Sequence, residues 1–178
     1  MTQNHHRVLA QSPNDLCVRG KYLEIRIGKI VLDATVRPDT CGEELTQVIL
    51  FEVVYSNLWD YRITTYSPEP RLIDSDGFQH SACVIGDAIV HKSKHLAEDT
   101  ELPCIANEIE GNARSHGWVA FPRLKKSAVP HRLIFQTHVF DAGDTCGSVR
   151  HTETLELVFD LSLFGRLLGQ GKILKRSS

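Results

Sequence analysis

The sequence predicts an all-β antiparallel fold, a sandwich or barrel of about eight to nine short strands. Three observations carry this. Runs of β-branched and aromatic residues recur with turn signals between them, no helical periods alternate with these runs, and Asp76-Gly77 lies between two apolar arms as a hairpin signal. At 178 residues the chain is long enough for one domain with a full core.

Residues 1–20 are polar and without pattern, which predicts a flexible arm ahead of a domain spanning 21–161. From Tyr22 to Val36, Leu23, Ile25 and Ile27 face one way. At Gly28 the phase slips, so that Ile30, Leu32 and Ala34 take over, as at a bulge. Residues 37–44 form a turn-rich loop. Gln47 to Asn57 is the most continuous β-branched and aromatic run, which predicts a central strand buried on both faces. Arg62 to Tyr66 is a short strand, and Pro68 and Pro70 stop it. Leu72–Asp74 and Phe78–Ile85 are the arms of a hairpin closed by a tight primed turn at Asp76-Gly77. The insertion at 86–110 is the least strand-like part. His91 to Asp99 fits a short helix or a solvated loop, and Glu101 to Ile109 a further strand. Gly117–Phe121, Leu133–Phe140 and Thr152–Leu161 complete the set, the last with Leu155, Leu157, Phe159 and Leu161 inward. Leu163, Phe164, Leu167 and Leu168 then recur at helical spacing, so a short C-terminal helical tail is expected over 162–178.

Composition excludes several classes. A net charge of −2 gives no electrostatic basis for nucleic-acid binding, and no apolar run reaches the length of a membrane span. Met1 to Leu16 has no apolar signal core, so the chain as it stands reads as cytoplasmic, or as a cell-envelope protein if a leader has been removed. The cysteines at 17, 41, 83, 104 and 146 form no C-x-x-C pair and read as free thiols of a reducing compartment. No G-x-S-x-G elbow, phosphate-binding loop or dinucleotide fingerprint is present, and no cofactor is implied.

The order Tyr55-Ser-Asn57, Leu72-Ile-Asp-Ser-Asp-Gly77, Glu108-Ile-Glu-Gly-Asn112 and Gly117-Trp-Val-Ala-Phe-Pro122 resembles an immunoglobulin-like family of unknown function, found mostly in bacterial and archaeal surface lipoproteins and related in fold to the mycobacterial immunoprotective antigen. The resemblance covers roughly Tyr22 to Leu161 and implies an immunoglobulin-like antiparallel β-sandwich. Its motifs are structural glycines and core residues, so it implies no activity.

Candidate chemistry is sparse. His91 and His95 would share a face at i, i+4 on a helix and are the metal-ligand candidates, with His80 or His116 brought near by the hairpin. Lys92 stands where a zincin helix carries Glu, which favours two solvated histidines. Asp74 and Asp76 beside Gly77 suggest calcium, but the spacing misses that loop type and turn chemistry accounts for them. Cys146 on a glycine-flanked loop is a thiol that His138 or His151 would have to activate. Trp118, in an alternating strand, is expected between sheets, and Trp59, at a strand end, is the surface candidate. The basic tail, Arg166, Lys172, Lys175 and Arg176, reads as a solvated helix end. The expected function is a non-catalytic binding or assembly module with an unknown protein partner or a second copy, through Trp59, Leu163, Phe164, Leu167 and Leu168. The alternative is a metal-binding protein or metal-dependent enzyme using His91 and His95.

Overall fold

In the computed structural model, residues 4–10, 17–37, 45–67, 70–83, 87–141 and 150–161 are described. They form β1 (Asn4–Ala10), β2 (Cys17–Arg19), β3 (Leu23–Arg37), β4 (Thr46–Asn57), β5 (Ile63–Tyr66), β6 (Arg71–Asp74) and β7 (Gln79–Ser81). There follow β8 (Ala88–Ser93), β9 (Glu101–Leu102), β10 (Glu108–Ile109), β11 (Arg114–Pro122), β12 (Pro130–Asp141) and β13 (Arg150–Asp160). One sheet runs β1-β13-β12-β5-β10, with β6 also on β12 and β7 on β6. The other runs β11-β4-β3-β8-β9, with β2 also on β3. The two form a sandwich, antiparallel throughout except that β1 lies parallel to β13.

More and shorter strands form than the sequence suggests, because three lie inside the 86–110 insertion and two precede Gly20. The pattern-free N-terminal arm is therefore corrected. Asn4–Ala10 has no alternation because an edge strand takes its order from backbone pairing with Asn4↔Glu153 through Ala10↔Phe159. The C-terminal helix predicted over 162–178 lies outside the described residues.

The core is built from the facing sides of the sheets. Leu23, Ile25, Ile27, Phe51, Val53, Val119 and Phe121 on one meet Ile63, Leu72, Leu133, Phe135, Leu155, Leu157 and Phe159 on the other. The bulge predicted at Gly28 falls between Ile27 and Ile30. A second, between Val31 and Ala34, turns Ala34 to the opposite face from Ile30, which corrects the single phase slip read from sequence.

That opposite face carries a second core of Val31, Ala34, Val36, Val48, Leu50, Leu102, Trp118 and Ala120, joined by Ala88 and Val90 of β8 and flanked by Leu96. β4 is thus central, as its composition predicts, but buried on both sides only over Val48–Phe51; from Glu52 to Asn57 one face is buried and the other half buried. Trp118 is buried, but in this outer cluster beneath the insertion and not between the sheets, since Val119 and Phe121 take the inward parity.

Two polar devices set the geometry. Glu153 of β13 is fully buried, and its carboxylate accepts the N–H groups of Lys21 (2.8 Å), Tyr22 (2.9 Å) and Leu23 (3.0 Å) at the entry to β3. At the β6–β7 turn only Gly77 has positive φ (85°), so the predicted two-residue primed turn is replaced by a three-residue loop, Ser75-Asp76-Gly77. Asp74 holds it: Oδ1 accepts the N–H of Asp76 and Phe78, and Oδ2 lies 2.8 Å from His80 Nε2.

Glu153→Ala leaves three backbone donors, the Leu23 N–H fully buried among them, without that acceptor and is expected to cost about 3 kcal/mol in urea unfolding. A Cβ at Gly20 would stand 2.5 Å from the Glu153 carboxylate, so Gly20→Ala should destabilise the natural chain by about 1–3 kcal/mol and cost clearly less in the Glu153→Ala background. The hydrogen bond from His80, helped by the Phe78 and Asp76 amides against burial, holds the Asp74 carboxyl below its ordinary value. A depressed carboxyl contributes stability above its unfolded pKa of about 4 and loses it as pH falls through the lower folded value. The unfolding midpoint of the natural chain should therefore fall more steeply below about pH 4 than that of Asp74→Asn.

Candidate functional site

One end of the sandwich gathers three loops, and their hydrogen bonds are unusually complete. β4 stops at Asn57, whose buried amide Nδ2 donates toward Tyr61 O (2.8 Å), Glu110 O (3.0 Å) and Ile109 O (3.1 Å). Its Oδ1 accepts the Trp59 N–H at 2.9 Å. The main chain adds Leu58 N–H to Tyr22 O, Asn112 N–H to Trp59 O and Asn57 N–H to Ala113 O, all within 2.9 Å. Asn112 takes a left-handed conformation (φ 56°), which asparagine tolerates, and its Nδ2 donates to Asp60 Oδ1 at 2.9 Å. Gly111 sits so close that a Cβ there would lie 2.0 Å from Asp60 O. The loops 20–22, 58–62 and 110–113 are held as one body.

What they display is aromatic. The half-buried Trp59 ring packs between Tyr22, tilted at 4.8 Å, and Tyr61, edge-on at 5.4 Å. Tyr61 is 66% exposed at the outer end of this row. Lys21 Nζ lies 4.8 Å over the Tyr22 ring, and contact with Tyr22 raises the lysine above its ordinary pKa, so it stays cationic. Asp60, Asn112 and the exposed Arg62–Glu108 ion pair, 3.4 Å apart, form a polar rim. An apolar aromatic centre thus sits inside a mixed-charge rim.

Trp59, at the end of β4, is half buried as the middle of a row whose partners, Tyr22 and Tyr61, sequence reasoning missed. The available signal was the register Leu23↔Asn57, which brings Tyr22 beside the end of β4. The helix that would align His91 with His95 does not form. His91 lies in β8, and the Ser93 hydroxyl accepts the N–H groups of His95 (3.1 Å) and Leu96 (3.3 Å) in a turn, so the i, i+4 argument fails. Among the described residues no group of three or more His, Cys, Asp or Glu is placed to hold a metal ion. His80 is engaged by Asp74, and His116 is exposed on β11. His138 bonds Thr154 and stacks on Tyr66. Of the cysteines, Cys17, Cys83 and Cys104 are free. Cys146, Leu163, Phe164, Leu167, Leu168 and the basic tail lie outside the described residues. No helix among the described residues is long and apolar enough to cross a membrane.

A scan against protein-family models and a search of curated sequences give no match. Among solved structures, the secreted protein MPT63 of Mycobacterium tuberculosis is 11% identical with a TM-score of 0.44, over 87% of this chain and 98% of that one. The Bacillus subtilis protein ycdA, described as a lipoprotein, is 11% identical with a TM-score of 0.43, over 86% of this chain and 41% of that one.

Asn57→Ala removes the amide that ties three carbonyls and one N–H together and is expected to cost about 3 kcal/mol. Amide exchange at Trp59 and Asn112 should quicken more than exchange in the centre of β4; uniform quickening would mean that Asn57 does not specifically hold these loops.

Proposed function

We propose that the chain is an immunoglobulin-like, non-catalytic binding module that acts through protein–protein contacts at the Tyr22–Trp59–Tyr61 end. The observation that carries this reading is the cost of building that surface. Asn57, Asn112 and Glu153 all spend polar side chains on fixing three loops whose common product is an exposed aromatic row. Tryptophan and tyrosine in a rigid setting make strong anchors, because they bury large area while losing little conformational freedom on binding. The immunoglobulin-like reading rests on the motif order at Asn57, Asp74–Gly77 and Gly117–Pro122, residues that in the fold end strands, turn the hairpin and line the core.

The buried polar groups favour binding over catalysis. Asn57, Asp74 and Glu153 are committed to backbone N–H and C=O groups, and Tyr55, Ser67 and Thr137 to one another. Such commitments leave little from which to assemble an acid, a base and a nucleophile around one reacting atom.

A photo-crosslinking residue at position 61 should capture a discrete protein partner from native extract, whereas the same residue at Ile89, exposed on β8, should not. Tyr61→Ala should weaken the captured interaction about tenfold or more while shifting the unfolding free energy by less than about 0.5 kcal/mol, as fits an exposed side chain. Equal capture at 61 and 89, or full affinity in Tyr61→Ala, would remove this surface from consideration.

A further inference from the structure

The β6–β7 turn and the β11–β12 loop, residues 123–129, lie at the end of the sandwich opposite the Tyr22–Trp59–Tyr61 row, since Pro122 pairs with Val48 near the start of β4 and Asn57 ends that strand. The two segments are tied together. The Ser75 N–H donates to Val129 O at 2.9 Å, and the Val129 N–H donates to Ser75 Oγ at 3.2 Å. Each is also anchored from below. Leu124 is buried in the core between the sheets, and the Ala128 N–H closes a turn on Lys125 O at 2.9 Å. Asp74 holds both backbone groups of Phe78, accepting its N–H on Oδ1 at 2.9 Å and donating its own N–H to Phe78 O at 3.0 Å.

From this fixed backbone two apolar side chains project into solvent, Phe78 at 61% exposure and Val129 at 45%. Lys125 Nζ lies over the Phe78 ring, 5.7 Å from its centroid. A Cβ at Gly77 would meet nothing within 4 Å, so the hairpin tip stands clear of its neighbours. Residues 75–78 and 123–129 are all described, and their charged side chains are Arg123, Lys125 and Lys126 against Asp76, every one exposed. Three cations against one carboxylate give these two segments a net positive charge. A single exposed apolar side chain needs no explanation. Two on adjoining turns, set among cations on a backbone that does not give way, combine features that an anionic bilayer uses together: headgroups meet the cations, and the interfacial layer receives the apolar tips.

We infer that this end of the sandwich docks peripherally on an anionic lipid bilayer, with Phe78 and Val129 entering the interfacial layer while Arg123, Lys125 and Lys126 meet the headgroups. A projecting turn tip suits a soft surface that closes around it, whereas a rigid protein partner would need a socket of matching shape. Asp76 is the one charge on these turns that opposes the attraction. Attachment here would hold the Tyr22–Trp59–Tyr61 row away from the bilayer, at the far end of the 12-residue β4. The inference stands or falls without that row.

The test is flotation of the full chain with vesicles of phosphatidylcholine, alone or with about 30% of the anionic phosphatidylglycerol. The chain should float with the anionic vesicles and little with the neutral ones, and added salt should weaken the binding by screening the cations. Phe78→Ser should lower the partition coefficient about tenfold through lost apolar burial. Lys125→Gln combined with Lys126→Gln should lower it more than tenfold, at about fivefold for each cation. These side chains are exposed, so the urea midpoints of the variants should match that of the natural chain. Phe78→Trp keeps an aromatic tip, and brominated acyl chains should quench its added emission but not that of Tyr61→Trp at the opposite end. Absence of flotation with anionic vesicles at low salt, or equal flotation with neutral ones, would overturn the inference. So would full binding by Phe78→Ser, which would show that the apolar tip does not enter the bilayer, or full binding by the lysine variant, which would place the lipid contact elsewhere in the chain. A protein captured from native extract through position 78, with no lipid binding, would make this a protein-docking end instead.

Discussion

The Glu153 carboxylate is the constraint on which the arrangement of the two sheets depends. A buried carboxylate is tolerated only where donors replace its water, and here three consecutive backbone N–H groups do so at the point where the chain turns into β3. Because Glu153 belongs to one sheet and β3 to the other, sliding the sheets past each other would strip those donors from it. Apolar packing alone, being non-directional, would permit several such registers. The Tyr55 to Thr137 hydrogen bond adds a second polar tie between β4 and β12, across the core at 2.9 Å.

Most strands were legible because their alternation survives in the structure. Leu155, Leu157 and Phe159 point inward as their period demands, and the same parity places Glu153 inside. A glutamate at an inward position of an otherwise apolar series was the available sign of a buried carboxylate, although its partners 130 residues away in sequence could not be read. β1 was not legible, since Asn4–Ala10 carries no alternating pattern and its place beside β13 is fixed by backbone pairing with residues far away in sequence. The continuous apolar run in β4 indicated burial on both faces, which holds for Val48–Phe51 and gives way to alternation beyond Glu52. What covers the outer face is tertiary information, and the 86–110 insertion supplies it with only a few scattered apolar residues, Ala88, Val90, Leu96 and Leu102.

The candidate site was half legible for a related reason. Trp59 stood out as a large aromatic at a strand end, but the row it belongs to is assembled from Tyr22 and Tyr61, and the first of these reaches it only through strand register. The histidine pair fails in the opposite direction. Spacing of four residues has meaning on a helix, and His91 and His95 lie across the end of a strand, where Ser93 turns the chain. A motif borrowed from one secondary structure has no geometry in another.

The polar groups of the loop end and those of the core are disposed differently. At the loop end, polar side chains are turned toward the backbone and the rings are left outside, ringed by charges that remain in water. Such a surface loses little hydration when another protein covers it, because its centre carries few groups that need new partners. In the core the hydroxyls of Tyr55, Ser67 and Thr137 are turned toward one another. The chain from Ile105 to Asn112 at the loop end is fixed along the way by β10 on β5 and by the Asn57 amide. Both regions are therefore shaped by hydrogen bonds that the fold itself has already made.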